Sequence, residues 1–305
     1  MLREPLPQDL PRERFRVADA LERGVRPHRL RALDLRAPHW GLRCTDEEPV
    51  TALDRCRQYA PLLAGDQCFS HTTAAVLWGL PVPLDVLHDE TLHVMATGDG
   101  RAPRRPGVIG HRSRDVLILD HRGLPIVAPL RAWAQCAERF SLDDLVVMGD
   151  ALLSKWSPHG PARYRSMRQL DELVTRWAGR RGAAKLAEAL SMVRPRSWSP
   201  KETALRLAIV RAGCVEPPEL NRRMYADDGG YLGRPDLAYE SLGIGVEYEG
   251  DHHRTSTSTF RRDIARRERF ADAGWRTLHV TELDLQRPAA LAARFRRHLP
   301  LARAS

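Results

Sequence analysis

Gly233-Arg-Pro-Asp-Leu-Ala-Tyr-Glu-Ser-Leu-Gly-Ile-Gly-Val-Glu-Tyr-Glu-Gly-Asp-His-His-Arg254 is the stretch whose reading decides the fold. Arg234 to Tyr239 reads as a short strand, with Pro235 tolerated at a strand start. Ile244 to Glu249 alternates, with Ile244, Val246 and Tyr248 on one face and Gly245, Glu247 and Glu249 on the other. Glu240 to Gly243 is short enough for a hairpin turn. Pairing of the two strands brings Asp236, Glu247 and Glu249 to one face. Three carboxylates there repel one another and are costly to bury. A divalent cation removes that cost, and hard oxygen ligands suit Mg²⁺ or Mn²⁺.

The chain has 305 residues, enough for two or three domains, and is 43% hydrophobic with seven tryptophans. Mean hydropathy is −0.43 and no apolar run reaches about 18 residues, so a membrane span is excluded. Met1 to Pro7 is followed by no apolar region of the kind a signal peptide needs, so a cytoplasmic location is expected. Cys44, Cys56, Cys68, Cys136 and Cys214 are scattered with no Cys-x-x-Cys pair. That argues against a disulfide framework and a zinc knuckle, and they read as reduced, mostly buried thiols. The net charge of +9 permits a nucleic-acid partner. It is spread along the chain: residues 1–45 hold ten arginines against six acids, and no segment is a strongly basic tail.

Residues 1–14 are Pro-rich and charged, an arm by composition. Phe15 to Gly24 reads as a short helix ended by its glycine. A second helix is expected from Arg26 or Pro27 to Asp34, with Leu30 and Leu33 inward and Arg26, His28, Arg29 and Arg31 outward. Ala37 to Arg43 reads as a turn into a strand. Helix, glycine turn, Arg-bearing helix and strand is the order of a helix-turn-helix with a wing, in which Arg26 and Arg29 would meet guanine or phosphate. The same pattern also suits an ordinary small helical subdomain.

Residues 46–150 read as mixed α/β. Ser70 is an N-cap for a helix from His71 to Trp78, and His71 reads as a first-turn residue of it rather than a ligand. Leu92–Ala96, Val108–His111 and Leu124–Val127 are strands, Arg131–Glu138 a helix, and Ser141 the cap of a helix to Leu153. No nucleophile motif, phosphate loop or metal-ligand spacing stands out here. The order from Phe15 to Cys44, followed by Ser70-His-Thr-Thr-Ala-Ala-Val-Leu-Trp-Gly-Leu80, resembles AbiEi-type antitoxin regulators over roughly residues 15–150. That resemblance implies an N-terminal winged helix on DNA with the next segment packed behind it.

Arg194-Pro-Arg-Ser-Trp-Ser-Pro200 is the best domain boundary in the chain. Ser199-Pro-Lys-Glu202 then reads as a capping box opening a helix that Gly213 ends. Glu202 has two readings: it caps its own helix, or it points at the strand pair to order a metal-bound water. After the acidic hairpin come Gly250-Asp-His-His-Arg254, a helix from about Thr259 to Ala273 carrying Arg262 and Arg266, a strand from Trp275 to Val280, and a last helix from Pro288.

Helix, strand, strand, helix, strand, with Glu202, Arg234-Pro-Asp236, Val246-Glu-Tyr-Glu-Gly250, His253 and Asp263-x-x-Arg266 before Phe270 and Gly274-Trp275, resembles the PD-(D/E)xK nucleases over residues 199–285. The closer likeness is to their Vsr-like branch of small endonuclease domains. The resemblance implies that Asp236 and Glu247 ligate a catalytic Mg²⁺ or Mn²⁺, helped by the carbonyl of Tyr248. His253 would move a proton or hold a phosphate oxygen. Arg254, Arg262 and Arg266 would steady the DNA backbone. Glu249 occupies the position where the motif usually has lysine. A carboxylate cannot supply that charge, although it can bind a second metal or act as a base, and Vsr-like domains commonly lack the lysine. Asp263 and Arg266, at i and i+3, also suit a simple helix ion pair.

The expectation is therefore a multidomain α/β protein: a winged-helix-like DNA-binding unit at 1–45, a mixed α/β scaffold at 46–198, and a restriction-endonuclease-like α/β core at 199–305. The expected activity is metal-dependent hydrolysis of DNA phosphodiesters. The rival expectation is a non-enzymatic, antitoxin-like DNA-binding regulator whose nuclease fold has degenerated.

Overall fold

The computed structural model describes residues 4–302 except 12, 46, 115, 155–164 and 251–256; of residues 257–263 it describes the backbone alone. The chain is mixed α/β and divides into two compact units, Met1–Glu138 and Arg139–Ser305. The boundary expected near 199 thus falls inside the second unit. Among the described residues no helix is long and apolar enough to cross a membrane. All five cysteines are free and buried.

The first unit opens with strand β1 (Arg14–Arg16), helix α1 (Val17–Glu22) and strand β2 (Leu42–Cys44), and β1 and β2 pair antiparallel. Leu10, Phe15, Ala20, Val25, Leu30 and Leu35 form its small core. The second helix expected over 26–34 does not form: only a 3-10 turn, Arg29–Arg31, is present. Leu33, expected inward, is 95% exposed, so the segment has no apolar stripe to hold a helix down. Arg29, expected outward, is buried. Its Nη1 and Nη2 donate to the two Asp34 carboxylate oxygens at 3.0 and 2.9 Å, and its Nε donates to the Glu4 carbonyl at 2.6 Å. A bidentate carboxylate satisfies the guanidinium inside the fold. Arg26 remains exposed.

Helix α2 (Ala52–Tyr59), strand β3 (Gln67–Phe69), helix α3 (His71–Leu77), helix α4 (Leu84–Leu87), strand β4 (Leu92–Thr97), strand β5 (Val108–Ser113), strand β6 (Ile118–His121), strand β7 (Leu124–Val127) and helix α5 (Pro129–Cys136) follow. The strands form one mixed sheet in the order β5-β4-β3-β7-β6. Ser70 stands at the N-cap of α3 but its side chain caps no backbone N–H. Its hydroxyl lies 3.0 Å from His71 Nδ1 instead.

The second unit begins with helices α6 (Leu142–Leu153), α7 (Met167–Trp177) and α8 (Ala183–Met192). Ser141 and Asp144 cap α6 reciprocally. Helix α9 (Pro200–Arg211) starts at Ser199, whose hydroxyl accepts the Glu202 N–H. Strands β8 (Glu219–Leu220), β9 (Met224–Tyr225), β10 (Tyr231–Gly233), β11 (Leu237–Tyr239) and β12 (Ile244–Glu249) come next, then helix α10 (Thr257–Asp272), strand β13 (Arg276–Thr281) and helices α11 (Glu282–Leu285) and α12 (Pro288–His298). The sheet order is β13-β12-β11-β8, with β12 and β13 parallel and the other pairs antiparallel.

The segment 139–198 belongs with this sheet through a buried polar hub. Arg206 on α9, 1% exposed, donates to Asp150 on α6 at 3.0 Å and to Glu216 at 2.8 Å. Asp150 also accepts from the Thr203 hydroxyl at 2.8 Å and the Arg194 N–H at 2.7 Å. Burial pushes the Asp150 carboxyl up, and the Arg206 charge opposes it. Such a pair is tolerated only because nearly every polar atom has a partner.

Candidate functional site

Gly243, at φ +59°, turns the chain between β11 and β12. The resulting register sets Leu237 against Val246 and Tyr239 against Ile244. The parallel pairing of β12 with β13 sets Glu247 against His279 and Glu249 against Thr281. Alternation then sorts the side chains between the two faces of the sheet. Leu237, Tyr239, Val246, Leu278 and Val280 join Leu205, Ile209, Leu291 and Phe295 in the core beneath α9 and α12. Ala238 packs with Phe270 of α10 on the opposite face. Asp236, Glu247, Glu249 and His279 share that second face by the same alternation.

Glu247 is 6% exposed. Arg266 Nη2, from α10, donates to its Oε2 at 2.7 Å. Arg267 Nη2 donates to Glu249 Oε1 at 2.9 Å. His279 Nδ1 lies 2.7 Å from Glu249 Oε1 and 3.9 Å from Glu247 Oε2. Asp236 Oδ2 accepts the Tyr248 N–H at 2.7 Å, which ties the residue ahead of β11 to the middle of β12. Gly233 makes room for the helix. A Cβ there would stand 2.7 Å from the Phe270 ring and 3.2 Å from the Arg266 side chain.

Glu202 is also buried, at 8% exposure. Its Oε2 accepts from the Trp198 N–H at 2.7 Å and the Asn221 side-chain amide at 2.5 Å. The reciprocal half of the expected capping box is absent, because this carboxylate is turned to those two donors. Asn221, held at φ +50°, also donates its backbone N–H to the Asp236 carbonyl at 2.9 Å. One residue thus joins α9 to the start of the acidic hairpin.

Burial pushes the Glu247 carboxyl up to about 7; Arg266 pulls it back and the charges of Asp236 and Glu249 push it further up. Burial likewise lifts Glu202 to about 7, with the Trp198 N–H lowering it and the Asp236 charge raising it. Asp236 therefore acts on both glutamates. Burial holds His279 below the ordinary histidine value despite the Glu249 charge.

The structure brings together Asp236, Glu247, Glu249 and Arg266 on one face, with Glu202 linked to them through Asn221. His253 and Arg254 lie outside the described residues, as does the side chain of Arg262. His279 and Asn221 escape the sequence reading. His279 sits in an apolar strand 30 residues from the acidic pair, and only the parallel β12–β13 register reveals it. Its one signal in sequence is its place in the strand's alternation. One ligand atom each from Glu247, Glu249 and His279 lies within 4.8 Å of the other two, so these three can hold a metal ion.

No family model matches the chain. It is similar to two proteins of Mycobacterium tuberculosis, from strains CDC 1551 / Oshkosh and ATCC 25618 / H37Rv, both named as uncharacterized. Each is 27% identical over 236 residues, covering 76% of this chain and 80% of the relative.

Proposed function

We propose that the second unit is a metal-dependent endodeoxyribonuclease domain of the Vsr-like, PD-(D/E)xK kind, with the first unit as an accessory DNA-binding part. The observation that carries this reading is the convergence of Asp236, Glu247, Glu249 and His279 on one sheet face beneath Arg266 and Arg267. The order α9, β11, β12, α10, β13 supports it, as does the antiparallel then parallel pairing of the three strands.

The donor set fits a hard dication. Glu247 and Glu249 offer oxygens and Asp236 adds charge beside them, while the imidazole of His279 suits Mn²⁺ better than Mg²⁺. Without a cation, the raised affinity of Glu247 for a proton shows how costly this charge is to bury. The ion would supply charge for the scissile phosphate and acidify its attacking water. Arg266 and Arg267 are placed to trade their carboxylates for phosphate oxygens, which guanidinium grips bidentately. They bring to this face the positive charge that Glu249 cannot supply. His279 Nδ1, 2.7 Å from Glu249 Oε1, carries the N–H of the neutral ring, and burial favours that neutral form, which leaves Nε2 to accept a proton. Arg26 is an exposed N-terminal guanidinium available to phosphate.

Purified protein with Mg²⁺ or Mn²⁺ is expected to nick or cut supercoiled, mismatched or single-stranded DNA, and the Asp236→Ala protein to lose that activity with its fold intact. Failure to cleave any of these substrates, or undiminished cleavage by Asp236→Ala, would reject the assignment.

A second reading rests on the Arg266–Glu247 ion pair. There the guanidinium permanently neutralises the carboxylate, the nuclease fold is structural, and the protein is a non-enzymatic, antitoxin-like regulator that binds DNA through residues 15–45. It predicts DNA binding that is unchanged by metal and by Asp236→Ala.

A further inference from the structure

The described residues hold a second group of metal-ligating side chains, in the first unit: His71, His93 and His111. His71 opens α3, His93 lies on β4 and His111 on β5. The strands run parallel, and the partner of His111 is Met95, two residues from His93. Alternation therefore puts His93 and His111 on one face of the sheet.

The rings are in contact. His93 Nδ1 lies 2.9 Å from His111 Nε2. The rings of His71 and His111 stack with centroids 3.5 Å apart and planes inclined at 20°. One nitrogen from each of the three rings falls within 4.8 Å of the other two. Neighbouring groups hold the backbone and one ring from behind. Ser70 Oγ lies 3.0 Å from His71 Nδ1, which leaves Nε2 as the outward donor of that ring. Gln135 Oε1 accepts the His71 backbone N–H at 2.9 Å, and Thr73 Oγ1 accepts that of His93 at 2.8 Å. His71 also keeps φ at +50°. That conformation strains a residue other than glycine, yet the position carries a histidine, whose ring stacks on that of His111.

We propose that His71, His93 and His111 form a three-histidine site for a transition-metal dication of the zinc class, with a fourth position left for water or an anion. Three imidazole nitrogens suit Zn²⁺, Cu²⁺ or Ni²⁺ and offer nothing to Mg²⁺, so the chemistry differs from that of the acidic face. Two imidazoles on one tetrahedral zinc, with bonds of about 2.0–2.1 Å, hold their nitrogens about 3.3 Å apart. The His93–His111 pair is already inside that spacing. The third nitrogen closes on it by side-chain rotation, which the partly exposed His71 and His111 can make. In the metal-free form the two close nitrogens share one N–H, one ring donating and the other accepting. On binding, the donor ring loses that proton and gains one on its other nitrogen. Both rings stay neutral, and no net proton is released.

The test uses the full chain carrying Glu247→Gln and Glu249→Gln, stripped of metal, with Co²⁺ as a coloured substitute for Zn²⁺. One equivalent of Co²⁺ is expected to give visible d–d absorption that one equivalent of Zn²⁺ removes. Adding His71→Ala or His111→Ala should abolish the absorption and weaken zinc binding by about 10–100-fold or more, with far-ultraviolet circular dichroism unchanged. Absence of the cobalt spectrum, or equal zinc affinity in these variants, overturns the proposal. Should either alanine variant unfold, imidazole ¹⁵N resonances of the parent chain decide. Zinc must shift three histidines, identified as 71, 93 and 111, and any other set overturns the site.

Discussion

Arg266 reaches from α10 to Glu247 on β12, with Nη2 2.7 Å from Oε2. A guanidinium in that place competes with any cation for the same carboxylate. Arg266→Gln is therefore expected to raise Mn²⁺ affinity about tenfold, about 1.4 kcal/mol, while lowering cleavage because the phosphate grip is lost. Titration calorimetry beside a cleavage assay checks both halves. A fall in Mn²⁺ affinity would show that the ion pair supports the site rather than competing with it.

His279 gives a complementary prediction. Its Nδ1 stands 2.7 Å from Glu249 Oε1, so it is both a donor and the partner that orients Glu249. His279→Ala is expected to weaken Mn²⁺ binding about 10–100-fold and to affect Mg²⁺ less, since the lost donor is nitrogen. Equal losses for both ions would place His279 outside the metal's reach.

The buried glutamates set a pH signature. Glu202 titrates near 7 when folded, against an ordinary value of 4.5. A raised carboxyl contributes stability that is fully present below the unfolded value and is lost as pH rises through the folded one. Glu202→Gln keeps an oxygen for the Trp198 and Asn221 donors but carries no charge. It should match the parent at about pH 4, below the unfolded value, and exceed it by about 3 kcal/mol at about pH 8. The comparison must be between variants. Burial pushes His71 down to about 2, so its contribution runs the other way, lost as pH falls through the ordinary histidine value. Chemical denaturation at the two pH values is the measurement, and a difference independent of pH would contradict the burial of Glu202.

The Asp150–Arg206 pair makes a prediction about stability alone. Asp150→Asn removes one of the two counter-ions of the buried Arg206, leaving the partly exposed Glu216 as the other, and is expected to cost about 3 kcal/mol. Urea unfolding should show it, with loss of α6 and α9 in one transition.

Gly233→Ala should lower activity without removing any charged group. The new Cβ meets the Phe270 ring and displaces α10, and with it Arg266. Reduced cleavage with Mn²⁺ affinity raised in the same direction as in Arg266→Gln is the expected result.

Most of the acidic face could be read along the chain. The Pro-Asp pair, the alternation of 244–249 and the glycine-bearing turn are local signals, and the hairpin they describe is the one that forms. The caps at Ser141 and Ser199 are legible for the same reason, since one side chain and one backbone N–H three residues apart suffice. The N-terminal helix over 26–34 fails on the same scale. Its charges suggested an outward face, but Leu33 has nothing to pack against, and Asp34 draws Arg29 inward.

By itself the sequence determined the α/β character, the strand hairpin and the three clustered carboxylates, because each depends on residues a few positions apart. Only the tertiary structure decided that His279 lies against Glu247, that Arg266 and Arg267 neutralise the acidic face, and that His71, His93 and His111 meet. Those contacts depend on parallel strand register and on helices packed across a sheet. Partners in such contacts are separated by tens of residues, and no local periodicity records which of many distant side chains the packing will choose.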